Sequence, residues 1–300
     1  MPTLDDIRIR DPFILADGTD FYLFGTTDQS PWIGQGEGFD FYRSTDLVDW
    51  EGPFAAFRPP LGFWGTTQFW APEVHRYQGR YFMFATFADG GGHRGTQVLV
   101  SDSVGGPYEP WSTGPVTPWD WQCLDGTLHL DDAGLPWIVF CHEWLQTGDG
   151  SMYAQRLTAD LRAVEDEPHL LFRASEAPWT LPFINLDTGF DLTAHITDGP
   201  WLRRGRNGDL LMLWSSGGAN GYAIGLARSR SGAVTGPWTH ETVPVWPHDG
   251  GHGMVFETAQ GLMLAFHAPN DLPRERVMLV PVTDSDDGLT VGRPAPASAG

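Results

Sequence analysis

The 300-residue chain contains no lysine; all 18 of its basic residues are arginine. That absence excludes a lysine Schiff base, pyridoxal phosphate chemistry and a Walker-type phosphate loop, each of which needs a lysine. Cysteine is scarce as well. Cys123 and Cys141 are the only two, too few for a disulfide scaffold or a zinc site. They lie equally far on either side of Asp132, in the turn sequence DDAG (131–134). They are therefore expected to face each other across a hairpin as reduced, buried thiols. No apolar run approaches the ~18 residues of a membrane span. The opening MPTLDDIRIRDPF has no basic-then-apolar leader, so a cytoplasmic location is expected, or secretion if a leader has been removed. Positive charge is the last shortage: 18 basic residues against 38 acidic ones leave a net charge of −20. So acidic a chain disfavours nucleic acid and anionic membranes as partners. It leaves a neutral ligand such as a sugar open.

Hydrophobic residues, by contrast, make up 41% of the chain, enough for a sizeable core. Five segments share one pattern of a polar or charged residue, a few apolar residues, a turn and an apolar aromatic run. They are DPFILADGTDFYLFGT, PEVHRYQGRYFMFAT, DGTLHLDDAGLPWIVFCHE, DGPWLRRGRNGDLLMLWSS and HGMVFETAQGLMLAFHA. In each, a glycine-containing turn sits between two β-rich runs, which is the hairpin signal. A third β-rich stretch follows each hairpin, and several copies then close on phrases such as VDWEGPF, VGGPYEPW and AVTGPWTHE. Nothing between them has a convincing helical period. A β-sandwich gives no reason for five similar hairpins. The pattern predicts an all-β, single-domain, five-bladed β-propeller over residues 1–295 with a frayed tail at 296–300. The segment 173–196 interrupts the rhythm and is expected to lie as a loop over one face.

The anchors of the five copies are Asp11, Glu73, Asp125, Asp198 and His252. In a propeller, like positions of successive repeats meet around one axis, so this ionisable set is expected to converge at one mouth of the channel. Any single Asp-Gly or Asp-Pro is more often a turn than a catalyst. An aligned set is another matter, because clustered carboxylates push one another's pKa values apart and supply an acid and a base at one pH. Two carboxylates across a pocket are what glycosidic hydrolysis requires.

The motifs RDPFILADGTDFYLFGTT, DLVDWEGP, FWAPEVHRYQGRYFMFAT, LDGTLHLDDAGLPWIVF, TDGPWL and GGHGMVF resemble, in order and over nearly the whole chain, glycoside hydrolase family 43. The resemblance implies a five-bladed propeller that inverts anomeric configuration, usually on arabinofuranosides or xylosides, of the α-L-arabinofuranosidase or β-xylosidase type. It implies that Asp11 is the general base, that Asp125 tunes the acid and orients the sugar, and that Asp198 is the general acid. Asp198 stands where the family usually has glutamate, so Glu73, Glu143 and Glu176 are held in reserve. No cofactor is required. His252 matches a histidine that in related enzymes can face a cation, often calcium, and a structural histidine is an equal reading. Fourteen tryptophans offer faces for sugar C–H groups; Trp70 and Trp179 are the chosen platforms, with Arg10 and His267 as polar contacts. Arg274–Glu275–Arg276 is read as a surface loop or ion-pair cluster. Two other readings remain: a retaining fructoside-type propeller, and a sugar-binding propeller without catalysis.

Overall fold

A computed structural model describes residues 1–185 and 192–292. The expected end of the propeller at residue 295 and the tail at 296–300 lie outside the described residues, as does the middle of segment 173–196. Five four-stranded antiparallel sheets follow one another along the chain. Blade I holds β1 (Arg10–Asp17), β2 (Asp20–Thr26), β3 (Phe39–Ser44) and β4 (Glu51–Phe57). Blade II holds β5 (Thr67–Tyr77), β6 (Arg80–Ala88), β7 (Arg94–Ser101) and β8 (Glu109–Pro115). Blade III holds β9 (Cys123–Leu130), β10 (Pro136–His142), β11 (Ser151–Arg156) and β12 (His169–Arg173), with the short helix α1 (Trp144–Thr147) after β10. A small extra hairpin, β13 (Phe183–Asn185) and β14 (Leu192–Ala194), occupies part of the interrupting segment. Blade IV holds β15 (Asp198–Arg204), β16 (Leu210–Gly218), β17 (Gly221–Ser229) and β18 (Trp238–His240). Blade V holds β19 (Gly251–Thr258), β20 (Gly261–Ala268), β21 (Arg276–Ser285) and β22 (Gly288–Val291). The expected architecture is the observed one.

A blade has a neighbour on each face, so its middle strands are apolar on both sides. RYFMFATFA of β6 and RGTQVLVS of β7 are buried almost throughout, whereas the outermost β4 and β8 are largely exposed. The core accordingly lies between blades. Phe39, Phe57, Phe69 and Phe87 fill the space between blades I and II. Trp214 and Trp179 pack between blades III and IV.

Each innermost strand also breaks register with its partner at the same place. Arg10 pairs with Thr26 and Phe13 with Phe24; Trp70 with Thr86 and Glu73 with Phe84; Leu124 with Cys141 and Thr127 with Val139. Asp198 pairs with Ser215 and Trp201 with Leu213; Gly251 with His267 and Met254 with Ala265. Two residues thus oppose one in all five blades, which is a β-bulge. The first bulge residue has a positive φ every time: Asp11 51°, Ala71 45°, Asp125 55°, Gly199 54° and His252 55°. This corrects the alignment of the anchors. The true equivalents in blades II and IV are Ala71 and Gly199; Glu73 lies two residues further along its strand and Asp198 one residue earlier. The bulge also shifts the hairpin register, so Cys141 faces Leu124 and Cys123 faces His142. The two thiols are free and buried in different clusters.

Candidate active site

A bulge takes its first residue out of the ladder, and the freed N–H needs another acceptor. Four blades solve this identically. The N–H of Ala71 donates to Thr26 Oγ1 (2.9 Å), that of Asp125 to Thr86 Oγ1 (2.8 Å), and that of His252 to Ser215 Oγ (2.9 Å). The N–H of Asp11 donates to His267 Nδ1 (3.2 Å), which closes the circle between blades V and I. Each acceptor sits on the second strand of the preceding blade, opposite the residue before that blade's bulge. The fifth position is Cys141, and there the N–H of Gly199 goes instead to Asp125 Oδ2 (2.9 Å). This ring of inter-blade bonds gathers Asp11, Asp125, Asp198 and His252 at one end of the axis.

The environments of the carboxylates differ sharply. Asp11 Oδ2 accepts the Thr26 hydroxyl (2.7 Å) and Oδ1 lies 3.4 Å from His252 Nδ1. Burial alone would raise its carboxyl; the His252 imidazole, the Arg10 guanidinium and the Thr26 hydroxyl outweigh it and hold the group below the ordinary carboxylate range. Burial, with Arg10 beside it, lowers His267 to about 3, so its ring is neutral. Since Nδ1 accepts the Asp11 N–H, Nε2 carries the proton and donates to Asn270 Oδ1 (3.2 Å). Arg10 Nη2 reaches the same oxygen (2.7 Å).

Asp125 and Asp198 are pushed the other way. Burial raises both; the charge of Asp11 adds to the effect on Asp125, and Asp125 and Glu143 add to it on Asp198. Tyr222 Oη donates to Asp198 Oδ2 (2.9 Å), which leaves Oδ1 to carry the proton of the acid form. Asp125 has the Gly199 amide and, at 3.7 Å, His252 Nδ1. The amide favours the ionised form of Asp125, and the Tyr222 hydroxyl and His252 act on Asp198 in the same sense; burial outweighs them and keeps both carboxyls raised. The arrangement holds a proton acceptor, Asp11, and a proton donor, Asp198, around one space. Opposite shifts of that kind mark an acid and a base.

The remaining expected site residues are spread more widely. Glu143 is buried, paired with Arg94, and close enough to raise Asp198. Arg94 also donates to Gln68 Oε1 (2.8 Å) and lies 4.8 Å from the Trp70 ring. Trp70 is itself buried, its indole N–H held by Pro31 O (2.7 Å), and Trp32 stands against it 47% exposed. Glu73 is satisfied by Thr127 Oγ1 (2.5 Å) and His75 Nε2 (3.1 Å). Trp179 packs in the core against Trp214 and Gly225. Glu176 is on an exposed 3-10 turn, where it accepts the N–H of Arg173. His252 turns Nδ1 to two carboxylates, and among the described residues no three His, Cys, Asp or Glu side chains are grouped to hold a metal. No step below is routed through a cation.

Tyr222, Thr26, Arg94 and Trp32 are site residues that the sequence reading missed. Trp32 lies in PWIGQG (31–36), between β2 and β3, where a tryptophan close to two glycines was a usable signal. Tyr222 is the second residue of β17 and carries no motif.

Comparison with known proteins agrees with this geometry. The model of the family described as Glycosyl hydrolases family 43 matches residues 4–290. An endo-arabinase structure from Bacteroides thetaiotaomicron is 43% identical, with a TM-score of 0.87, covering 95% of this chain and 97% of that one. An α-L-arabinofuranosidase structure from Lactobacillus brevis is 19% identical with a TM-score of 0.72, covering 97% of this chain and 96% of that one, a likeness of fold. An extracellular endo-α-(1→5)-L-arabinanase of Bacillus subtilis is 24% identical over 147 residues, which is 45% of this chain and 44% of that protein. The match spans less than half the length of that relative.

Proposed function

Because this chain belongs to glycosyl hydrolases family 43, and is thereby a glycoside hydrolase with a carbohydrate substrate, we propose that it cleaves α-1,5-linked arabinan internally, with inversion. The observation that carries the mechanism is the opposite tuning of Asp11 and Asp198. Asp11, ionised and steadied by Thr26 and His252, takes a proton from water as that water attacks the anomeric carbon. Asp198, protonated on Oδ1, gives its proton to the departing glycosidic oxygen. Asp125 touches neither the water nor the leaving group; its charge keeps the Asp198 proton in place. The whole-chain likeness to an endo-arabinase supports arabinan, and internal cleavage, over the exo-acting arabinofuranosidase or xylosidase otherwise expected.

The test is digestion of linear arabinan, xylan and aryl glycosides by the purified protein. Arabino-oligosaccharides of several lengths from the first minutes, with NMR showing the inverted anomer, are the expected result. Single arabinose or xylose units as the sole early product, or net retention, would overturn the reading. Under inversion the acting carboxyls of Asp11 and Asp198 should stand roughly 6.5–9.5 Å apart, with room for the water.

A further inference from the structure

Cys141 is the one departure from an otherwise uniform ring. At the equivalent positions stand Thr26, Thr86, Ser215 and His267, and each accepts the bulge N–H of the next blade. Blade I shows what a hydroxyl does there for the carboxylate of its own bulge. Thr26 accepts the Ala71 N–H and donates its own proton to Asp11 Oδ2, so it stands as a relay between amide and carboxylate. Blade III has the same carboxylate, Asp125, at the same φ and bulge, but a thiol where the relay belongs. A thiol is a weak acceptor, and Cys141 is fully buried with Met152 Sδ at 3.9 Å. The Gly199 N–H passes it by and bonds Asp125 Oδ2 directly.

We propose that Cys141 is a positioning residue: by not taking the Gly199 amide, it ties Asp125 to the peptide bond that Asp198 itself begins, and so fixes the distance at which Asp125 holds the proton on Asp198. Gly199 follows Asp198 in sequence, so the bonded N–H belongs to the peptide unit whose carbonyl is that of Asp198. The modulating carboxylate is thereby held at a set distance from the acid. Burial raises both carboxyls, and Tyr222 donates to Asp198 as the amide does to Asp125; the tie through the amide sets the distance across which Asp125 acts on Asp198. The groups facing this pair from the packed elements are Asp11 and His252 on the first strands of blades I and V, Tyr222 on β17, and Glu143 at the start of α1. Glu73 on β5 adds to the effect on Asp125. Of these, none replaces the amide on Asp125. The inference rests on the reading of Asp198 as the acid.

Substituting Cys141→Ser installs the relay, and Cys141→Thr installs the residue found in blades I and II. The Gly199 N–H then turns to the hydroxyl, and Asp125 is held by that hydroxyl, as Asp11 is by Thr26, and no longer by the peptide that Asp198 begins. The distance between the carboxyls is no longer fixed, and the proton on Asp198 is held less firmly. The alkaline limb of the kcat/KM–pH profile should move to lower pH by ~0.5–1 unit. Cys141→Ala, which also offers no acceptor, should lower the melting temperature and leave the limb where it is. An amide measurement reads the bond independently of any substrate. In the wild-type protein the ¹⁵N–¹H resonance of Gly199 should titrate with Asp125, and in Cys141→Ser or Cys141→Thr that titration should disappear. An arabinan assay that fails, with the amide titrating as described, removes the proposed substrate and leaves the tie intact. A Gly199 amide that ignores pH in the wild-type protein overturns the inference without any variant having to fold. A pH limb unmoved by the hydroxyl, or moved equally by alanine, does so too.

Discussion

Asp11 and Asp198 are the same residue type with opposite protonation preferences, and the difference comes from neighbours recruited far along the chain. Asp11 draws on His252 and His267, more than 240 residues away, and Asp198 is raised by burial and by Asp125 and Glu143, which come from another blade. This explains why the carboxylates were legible in the sequence while their tuning was not. An Asp in a repeated motif is visible as text; the hydroxyl that closes on it from another strand, or the imidazole from another blade, is not. Replacement of Asp11 by Asn should reduce turnover by ~10²-fold to 10⁴-fold on every substrate, since water activation is always needed. Asp198→Asn should lose a comparable factor on arabinan yet spare aryl glycosides, whose leaving groups depart without a proton. A similar loss on both classes would remove Asp198 from the acid role. The same variant bears on stability. The folded-state pKa of Asp198 is raised, so its favourable contribution is complete below the unfolded value and fades as pH rises through the folded value. Asp198→Asn should therefore melt above the parent at neutral pH, with the gap closing on acidification. Calorimetry across pH checks the sign.

At the scale of the element, the hairpins announced themselves through their glycine turns, and the five first-strand pairs are where those turns put them. The bulge did not announce itself. It adds a residue to one strand only, and propensity patterns do not register it, so two of the five anchors were placed off by one or two positions. Its demand is conformational: a left-handed residue, which costs ~1–2 kcal/mol for a side chain with Cβ. Four blades carry that cost with Asp, Ala, Asp and His, and the inter-blade hydrogen bonds hold them there. Gly199 is the exception for a second reason, because a Cβ there would stand 2.8–3.0 Å from the His252 ring. Gly199→Ala should lower stability by ~2 kcal/mol or more and reduce kcat by displacing His252. Ala71→Gly, at the equivalent position without the clash, should be close to neutral. Thermal melts of the two variants together separate strain from collision.

For the whole molecule, among the described residues, every blade is made of four consecutive strands, and no strand of the first blade is contributed to the last. Closure rests on contacts between blades I and V: the bridge of Arg8 to Arg276, the Arg8–Glu275 ion pair at 3.3 Å, and the Asp11–His267 bond. Of the two readings for Arg274–Glu275–Arg276, ion pairing is the one that holds for Glu275, which is fully buried. Its charge was legible and its burial was not, because three charged residues in a row have the text of a surface loop. Removing one partner of a buried pair strands the other, so Glu275→Ala should cost ~3–5 kcal/mol. Denaturant titration measures it, and a loss below about 1 kcal/mol would show that the first and last blades are held by packing alone. The His267 bond reaches further than stability. Asp11 takes its backbone acceptor, His267, and its neighbour His252 from blade V. Four formed sheets without the fifth therefore leave the carboxylate proposed to activate water unset, and it takes its working position only when blade V docks against blade I.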